Sequence, residues 1–161
     1  MSADEPLLEA AARIVATALD DLRGALDGLD DAALNWRPAG DGTNSIAVLV
    51  THSMHSTRSW LSVAVGAPLP ARERDAEFRA HATAAALRAL LDDFGGQCLA
   101  LLREPATPID WSTRRATHTR NRAGAADEET AAWALLHALE HLREHTGQIT
   151  LTRQTWEKLR D

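Results

Sequence analysis

The sequence predicts an all-α protein built as a four-helix bundle. Three observations carry this. The 161-residue chain holds 31 Ala and 22 Leu against 5 Val and 4 Ile, so residues that lose little rotamer freedom in a helix dominate and β-branched strand formers are scarce. Proline and glycine cluster at 28, 38–42, 66–70, 105–108 and 124 and divide the chain into four long segments. Within each segment apolar residues recur three and four apart, the spacing of one helix face. Four amphipathic stripes bury best against one another, which is a bundle. The length suits one domain spanning 1–161 and is short for two.

The first segment, 5–29, carries Leu8, Val15, Leu19, Leu22, Leu26 and Leu29 as its stripe. The second, 45–65, has Thr43 or Asn44 as N-cap candidates, because a short polar side chain there accepts from a free backbone N–H. Its apolar face is Ile46, Leu49, Val50, Trp60, Leu61 and Ala64. The third, 80–103, carries Ala80, Ala84, Leu87, Leu91, Phe94, Cys98 and Leu101, and Gly95-Gly96 within it marks a bend or a close approach to a neighbour. The fourth starts near Asp127, an N-cap candidate followed by two glutamates that suit the positive helix end. It runs through Ala134, Leu135, Ala138 and Leu142 to at least His145. Beyond Gly147, residues 148–159 continue it or form a short C-terminal fifth helix. The stretch 105–124 reads as a long linker with arginines at 114, 115, 120 and 122.

Charge and composition exclude several function classes. Net charge is −6 and the pI about 5.6, which speaks against a nucleic-acid binder. No window approaches the roughly 20 apolar residues of a membrane span. The single cysteine, Cys98, cannot form an internal disulfide and fits a reducing compartment. The acidic start of the chain lacks the basic region of a signal peptide. A cytoplasmic protein is the simplest expectation.

The histidines carry the chemical signal. Five of seven, at 52, 55, 137, 141 and 145, lie on the second and fourth segments. Residues four apart share a helix face, with Cβ atoms about 5–6 Å apart. Two imidazoles so spaced can converge on one metal at about 2.1 Å each. A third ligand would come from another helix, and His52, beside the stripe of the second segment, is the candidate. The bland alternative is surface or hydrogen-bonded histidine. The zinc-protease pattern His-Glu-x-x-His is absent because residue 142 is Leu, and the di-iron pattern Glu-x-x-His is absent because residues 138 and 142 are Ala and Leu. Cys98, on the apolar stripe, reads as core and not as a nucleophile.

Two stretches resemble a known family. Leu34-Asn-Trp-Arg-Pro38, followed by Thr43-Asn-Ser-Ile-Ala-Val-Leu-Val-Thr-His52, is similar to the start of the second helix in the DinB-like superfamily. Leu136-His-Ala-Leu-Glu-His141-Leu-Arg-Glu-His145-Thr-Gly-Gln-Ile149 resembles that superfamily's closing signature. The resemblance implies a four-helix bundle in which three histidines bind a divalent metal, zinc or nickel. Carried over by position, the ligands are His52, His141 and His145, the last two fixed in register by the Gly-Gln step. His137 and His55 fall outside the motif. The resemblance also implies a homodimer.

Relatives in that superfamily include metal-dependent S-transferases that use bacillithiol or mycothiol. The leading expectation is therefore a metal-dependent thiol S-transferase acting on a small-molecule substrate. A dication on three neutral imidazoles would acidify either a thiol or water, so a metal-dependent hydrolase is the alternative. A non-catalytic metal-binding or stress-related bundle is the reading from another class. For an anionic thiol, Arg114, Arg115, Arg120 and Arg122 are candidate binding residues, and Gln148, three residues after His145, is a candidate near the site. Glu140 and Glu144 flank the ligands in sequence and are expected to point to solvent.

Overall fold

The computed structural model describes residues 5–120 and 124–160, without the Arg120 side chain. Four long helices form a bundle: α1 (Glu5–Leu26), α3 (Ile46–Val65), α5 (Ala84–Arg103) and α6 (Ala131–Lys158). Two short helices, α2 (Asp31–Asn35) and α4 (Arg74–Glu77), lie in the connections on either side of α3. Helices α1 and α3 each pack against both α5 and α6, so α1 and α3 face each other across a diagonal. The core where they meet is built from Leu19, Leu22, Leu26, Met54, Leu61, Leu91, Leu135 and Leu142, all fully buried. No described helix is long and apolar enough to cross a membrane.

Local chemistry sets the boundaries. Helix α1 stops at Leu26, and Gly28 behind it takes a positive φ of 74°, a conformation that costs glycine little. Helix α3 is capped by Ser45, whose Oγ accepts from the Val48 N–H at 3.2 Å. The cap is thus one or two residues later than Thr43 or Asn44. Its other end is closed by Gly66 in the left-handed region. A Cβ at Gly66 would also meet the Arg115 guanidinium at 3.1–3.3 Å, so both conformation and space require glycine. Helix α5 begins at Ala84, after the Thr83 cap, and runs unbroken through Gly95-Gly96. Close packing explains the first of the pair, because a Cβ at Gly95 would lie 2.8 Å from the Leu19 methyls, whereas one at Gly96 would meet nothing within 4 Å.

The largest departure from expectation lies between α5 and α6. Part of the anticipated linker folds as a two-stranded antiparallel hairpin, β1 (Arg114–Arg120) with β2 (Ala126–Thr130). The register pairs Arg114 with Thr130 and shifts before Arg120, which pairs with Ala126. Asp127 is therefore in a strand, and the cap of α6 is Thr130, which accepts from the Trp133 N–H at 3.2 Å. Gly147 does not interrupt α6. Ile149 and Thr152 extend its buried stripe past the glycine, so 148–158 continues the helix and no separate fifth helix forms.

Candidate metal centre

Antiparallel packing of α3 on α6 brings together residues far apart in sequence. His52, from the middle of α3, meets His141 and His145, one turn apart on α6. One ring nitrogen from each lies within 4.8 Å of the others. The Nε2 atoms of His52 and His141 are 3.3 Å apart, and those of His141 and His145 are 3.1 Å apart. Nitrogen ligands about 2.05 Å from a tetrahedral zinc would stand ~3.3 Å from each other. The spacing matches that edge.

The protons of two rings can be assigned from their outer contacts. His52 Nδ1 lies 2.9 Å from Glu77 Oε2. Glu77 is buried, which by itself would raise its carboxyl pKa. Hydrogen bonds from Arg72 and His52, with the Arg72 charge, overrule burial and hold it at about 2. The ionised carboxylate can only accept, so His52 carries its proton on Nδ1 and its Nε2 lone pair faces inward. Arg72 Nη2 also comes within 3.4 Å of His52 Nδ1, but the shorter carboxylate contact decides the tautomer. On the other side, Gln148 Nε2 donates to Glu144 Oε1 at 3.1 Å, which turns Gln148 Oε1 toward His145 Nδ1 at 2.8 Å. An amide oxygen accepts, so His145 too is protonated on Nδ1 and presents Nε2 inward.

Two inward lone pairs and one remaining imidazole do not satisfy one another. His141 can offer at most one Nε2–H to its two neighbours. Its Nδ1 is buried and has no hydrogen-bond partner among the described residues. A cation in the centre would meet all three Nε2 atoms, and for His52 and His145 the far nitrogen is held by a carboxylate and an amide, as in metal-ligating histidines. The pKa of His141 is pushed down to about 3 by burial first, then by the neighbouring histidines and Arg72. His145 is also lowered, chiefly by burial. Neutral imidazole is the ligand form. The three-histidine group is thus compatible with a metal ion.

The family model of the DinB superfamily matches residues 14–149. The chain belongs to the DinB superfamily. No curated protein matches it. In this DinB-superfamily chain the matched stretch contains His52, His141 and His145 together with the strands and short helices around them.

The other sequence candidates sort by position. His137 is outside the group, stacked on Trp133 at 4.5 Å and edge-on to Trp60 at 4.8 Å. His55 rests on Phe94 at 4.6 Å. Gln148 reaches the site through His145. Glu144 orients Gln148, whereas Glu140 is exposed beside His137 at 3.8 Å. Arg115 caps the end of α3, donating to the carbonyls of Val63 and Ala64 at 3.2 and 3.1 Å. Eleven residues of helix, ~16 Å of rise, separate Val63 from His52. Arg114 is engaged with Glu128 on the partner strand. The Arg120 side chain and Arg122 lie outside the described residues. Sequence reasoning missed Arg72, Glu77 and Phe78. Glu77 is one of three acids, with Glu73 and Asp75, in a segment of mixed charge, and nothing in the sequence singles it out.

Proposed function

We propose that this protein is a metal-dependent enzyme in which His52, His141 and His145 hold a divalent ion, zinc or nickel. We further propose that it is an S-transferase for a low-molecular-weight thiol such as bacillithiol or mycothiol. One observation carries the reading: three Nε2 atoms converge, and no fourth His, Cys, Asp or Glu joins their group among the described residues. Structural zinc sites are closed by four protein ligands, whereas catalytic sites leave a position for substrate. When bound, the ion would supply a Lewis acid that favours an ionised thiol near neutral pH. The chain's own residues prepare for this. Glu77 and Gln148 keep the rings of His52 and His145 turned inward, and burial keeps His141 neutral.

Arg120 and Arg122 are the proposed anchors for the anionic groups of the thiol, and replacing either with alanine should raise the apparent KM for it. The family resemblance supports a homodimer. The single cysteine and acidic balance support a cytoplasmic setting. The test is elemental mass spectrometry on wild type, His52→Ala, His141→Ala and His145→Ala, with His137→Ala as control. About one metal per wild-type chain, lost in the three variants and kept in the control, is the expected pattern. Turnover of an electrophile that needs added thiol then supports the transferase. Ester or amide hydrolysis without thiol would replace it with a hydrolase, and a wild type that takes up neither zinc nor nickel overturns the metal centre.

A further inference from the structure

The residues that grip His52 all come from one segment, the strap 67–83 between α3 and α5. Its Glu77 accepts from His52 Nδ1, and its Arg72 forks onto the Glu77 carboxylate at 2.7 and 2.8 Å. Its Phe78 ring lies 4.6 Å from the His52 ring. The strap has little to hold its own shape. Its one helix, α4, spans Arg74–Glu77, and a single turn does not persist alone in water.

Support comes from Asn35, the last residue of α2, and Arg37 just beyond it. The Asn35 side-chain amide pairs with the Ala82 backbone on both sides: Nδ2 donates to the carbonyl at 2.9 Å and Oδ1 accepts from the N–H at 3.0 Å. Arg37 donates to the Thr43 carbonyl at 2.7 Å and the Phe78 carbonyl at 3.1 Å. One guanidinium thus ties the strap, at the residue whose ring lies on His52, to the backbone just before the Ser45 cap of α3. His52 lies on that helix ~10 Å further along. Its backbone is fixed by α3 and its ring by the strap, and Arg37 sets the two in register.

We propose that Asn35 and Arg37 are remote positioning residues of the metal centre, acting through the strap and Glu77 to hold the His52 ring with Nε2 inward. The proposal rests on the metal-centre reading above. Its test uses the full chain, with zinc(II) as the probe. The zinc dissociation constant is measured by competition with a chromophoric chelator. The His52 tautomer is read by 15N NMR on the metal-free protein. Glu77→Gln leaves one oxygen to serve both Arg72 and His52, and should weaken zinc about 10–100-fold. Arg37→Met and Asn35→Ala should weaken it in the same direction by a smaller factor, with His52 losing its uniform Nδ1–H signal. Arg88→Ala, which removes an exposed ion pair to Asp27, should leave both readouts unchanged.

If the tether variants lower Tm while zinc affinity and the His52 tautomer stay at wild-type values, the two residues only stabilise the fold and the proposal is overturned. If Arg37→Met does not fold, Arg37→Lys, which keeps the charge but not the two-carbonyl reach, is judged by the same readouts. A wild type without zinc affinity would instead bring down the metal centre itself, a different failure from variants that bind as well as wild type.

Discussion

The bundle has two seams of opposite character. Where α1 meets α5, the buried contact is apolar and tight, with the Arg23–Asp92 ion pair at its exposed rim: Gly95 lets the Leu19 methyls approach to a distance that no Cβ would permit, and Cys98 on the same helix is sealed, its thiol pushed up by burial to about 12. Helices α3 and α6, by contrast, bury a polar set: His52, Ser53, Ser56, Thr57, Thr146 and Thr152. Ser53 and Thr146 return their hydroxyls to their own helix, Thr146 to the Leu142 carbonyl at 2.8 Å, which offsets the cost of burying them, whereas the buried Thr57 Oγ1 has no hydrogen-bond partner among the described residues. One seam supplies stability by shape, and the other holds polar groups in a dry place. A bundle can do both because apolar packing of α1 on α5 stabilises the fold without drawing on the polar groups of α3 and α6.

The comparison breaks most sharply at His141. Replacing it with alanine should abolish stoichiometric zinc binding, read by elemental mass spectrometry, while the metal-free Tm changes little. That residue gives up an unpartnered buried Nδ1 when removed, so the loss is of function and not of fold. Leu22→Ala is the mirror experiment on the other seam. Deleting a fully buried leucine of α1 should cost about 2–5 kcal/mol in chemical denaturation. Zinc affinity of the folded variant should stay within about twofold of wild type, because an aliphatic side chain holds none of the three rings by a hydrogen bond. If Leu22→Ala loosened zinc as much as it loosened the fold, the seams would not be separable.

The seams also respond differently to acid. In the folded metal-free protein the His141 pKa lies near 3 against an ordinary 6.5, and that of His145 is lowered as well. The unfolded chain therefore binds more protons across that window, so stability must rise with pH through it. Metal-free protein should lose stability progressively as pH falls from about 6.5 toward 3, measured as a falling denaturant midpoint. His141→Ala should flatten that slope, and Leu22→Ala should keep it while lowering the whole curve.

The two seams also differ in how far the sequence revealed them. The apolar stripes of α1, α3, α5 and α6 were legible because three-and-four spacing is a local property. The His52, His141 and His145 set was legible because two of the three lie one turn apart on one helix and a motif fixes the third. The hairpin was not. Its alternation of Thr113, Arg115 and Thr117 facing inward against Arg114, Ala116 and His118 outward is a period of two, but arginine and threonine mask it where a strand would show valine. Glu77 was hidden for another reason. One of three acids in a short segment, it acquires its role only when Asn35 and Arg37, more than 30 residues upstream, fold the strap onto α3. Pairings of that kind have no local periodicity to read.

The smallest effect is the one that isolates shape from propensity. Gly95 and Gly96 are neighbours in the same helix, and the same substitution should act on them with opposite sign. Alanine in place of glycine in a helix interior gains about 0.5–1 kcal/mol from reduced backbone freedom in the unfolded chain. At exposed Gly96 a Cβ meets nothing within 4 Å, so Gly96→Ala should show that gain in full. At Gly95 the Cβ would lie 2.8 Å from two methyls of Leu19, a side chain only 2% exposed that has no solvent to swing into. Overpacking of this kind costs about 1–3 kcal/mol, which exceeds the propensity gain, so Gly95→Ala should be net destabilising. Denaturant midpoints of the two variants, measured side by side, decide it. Should both glycines gain stability with alanine, the α1–α5 seam has slack, and its tightness is not what allows the α3–α6 seam to stay polar.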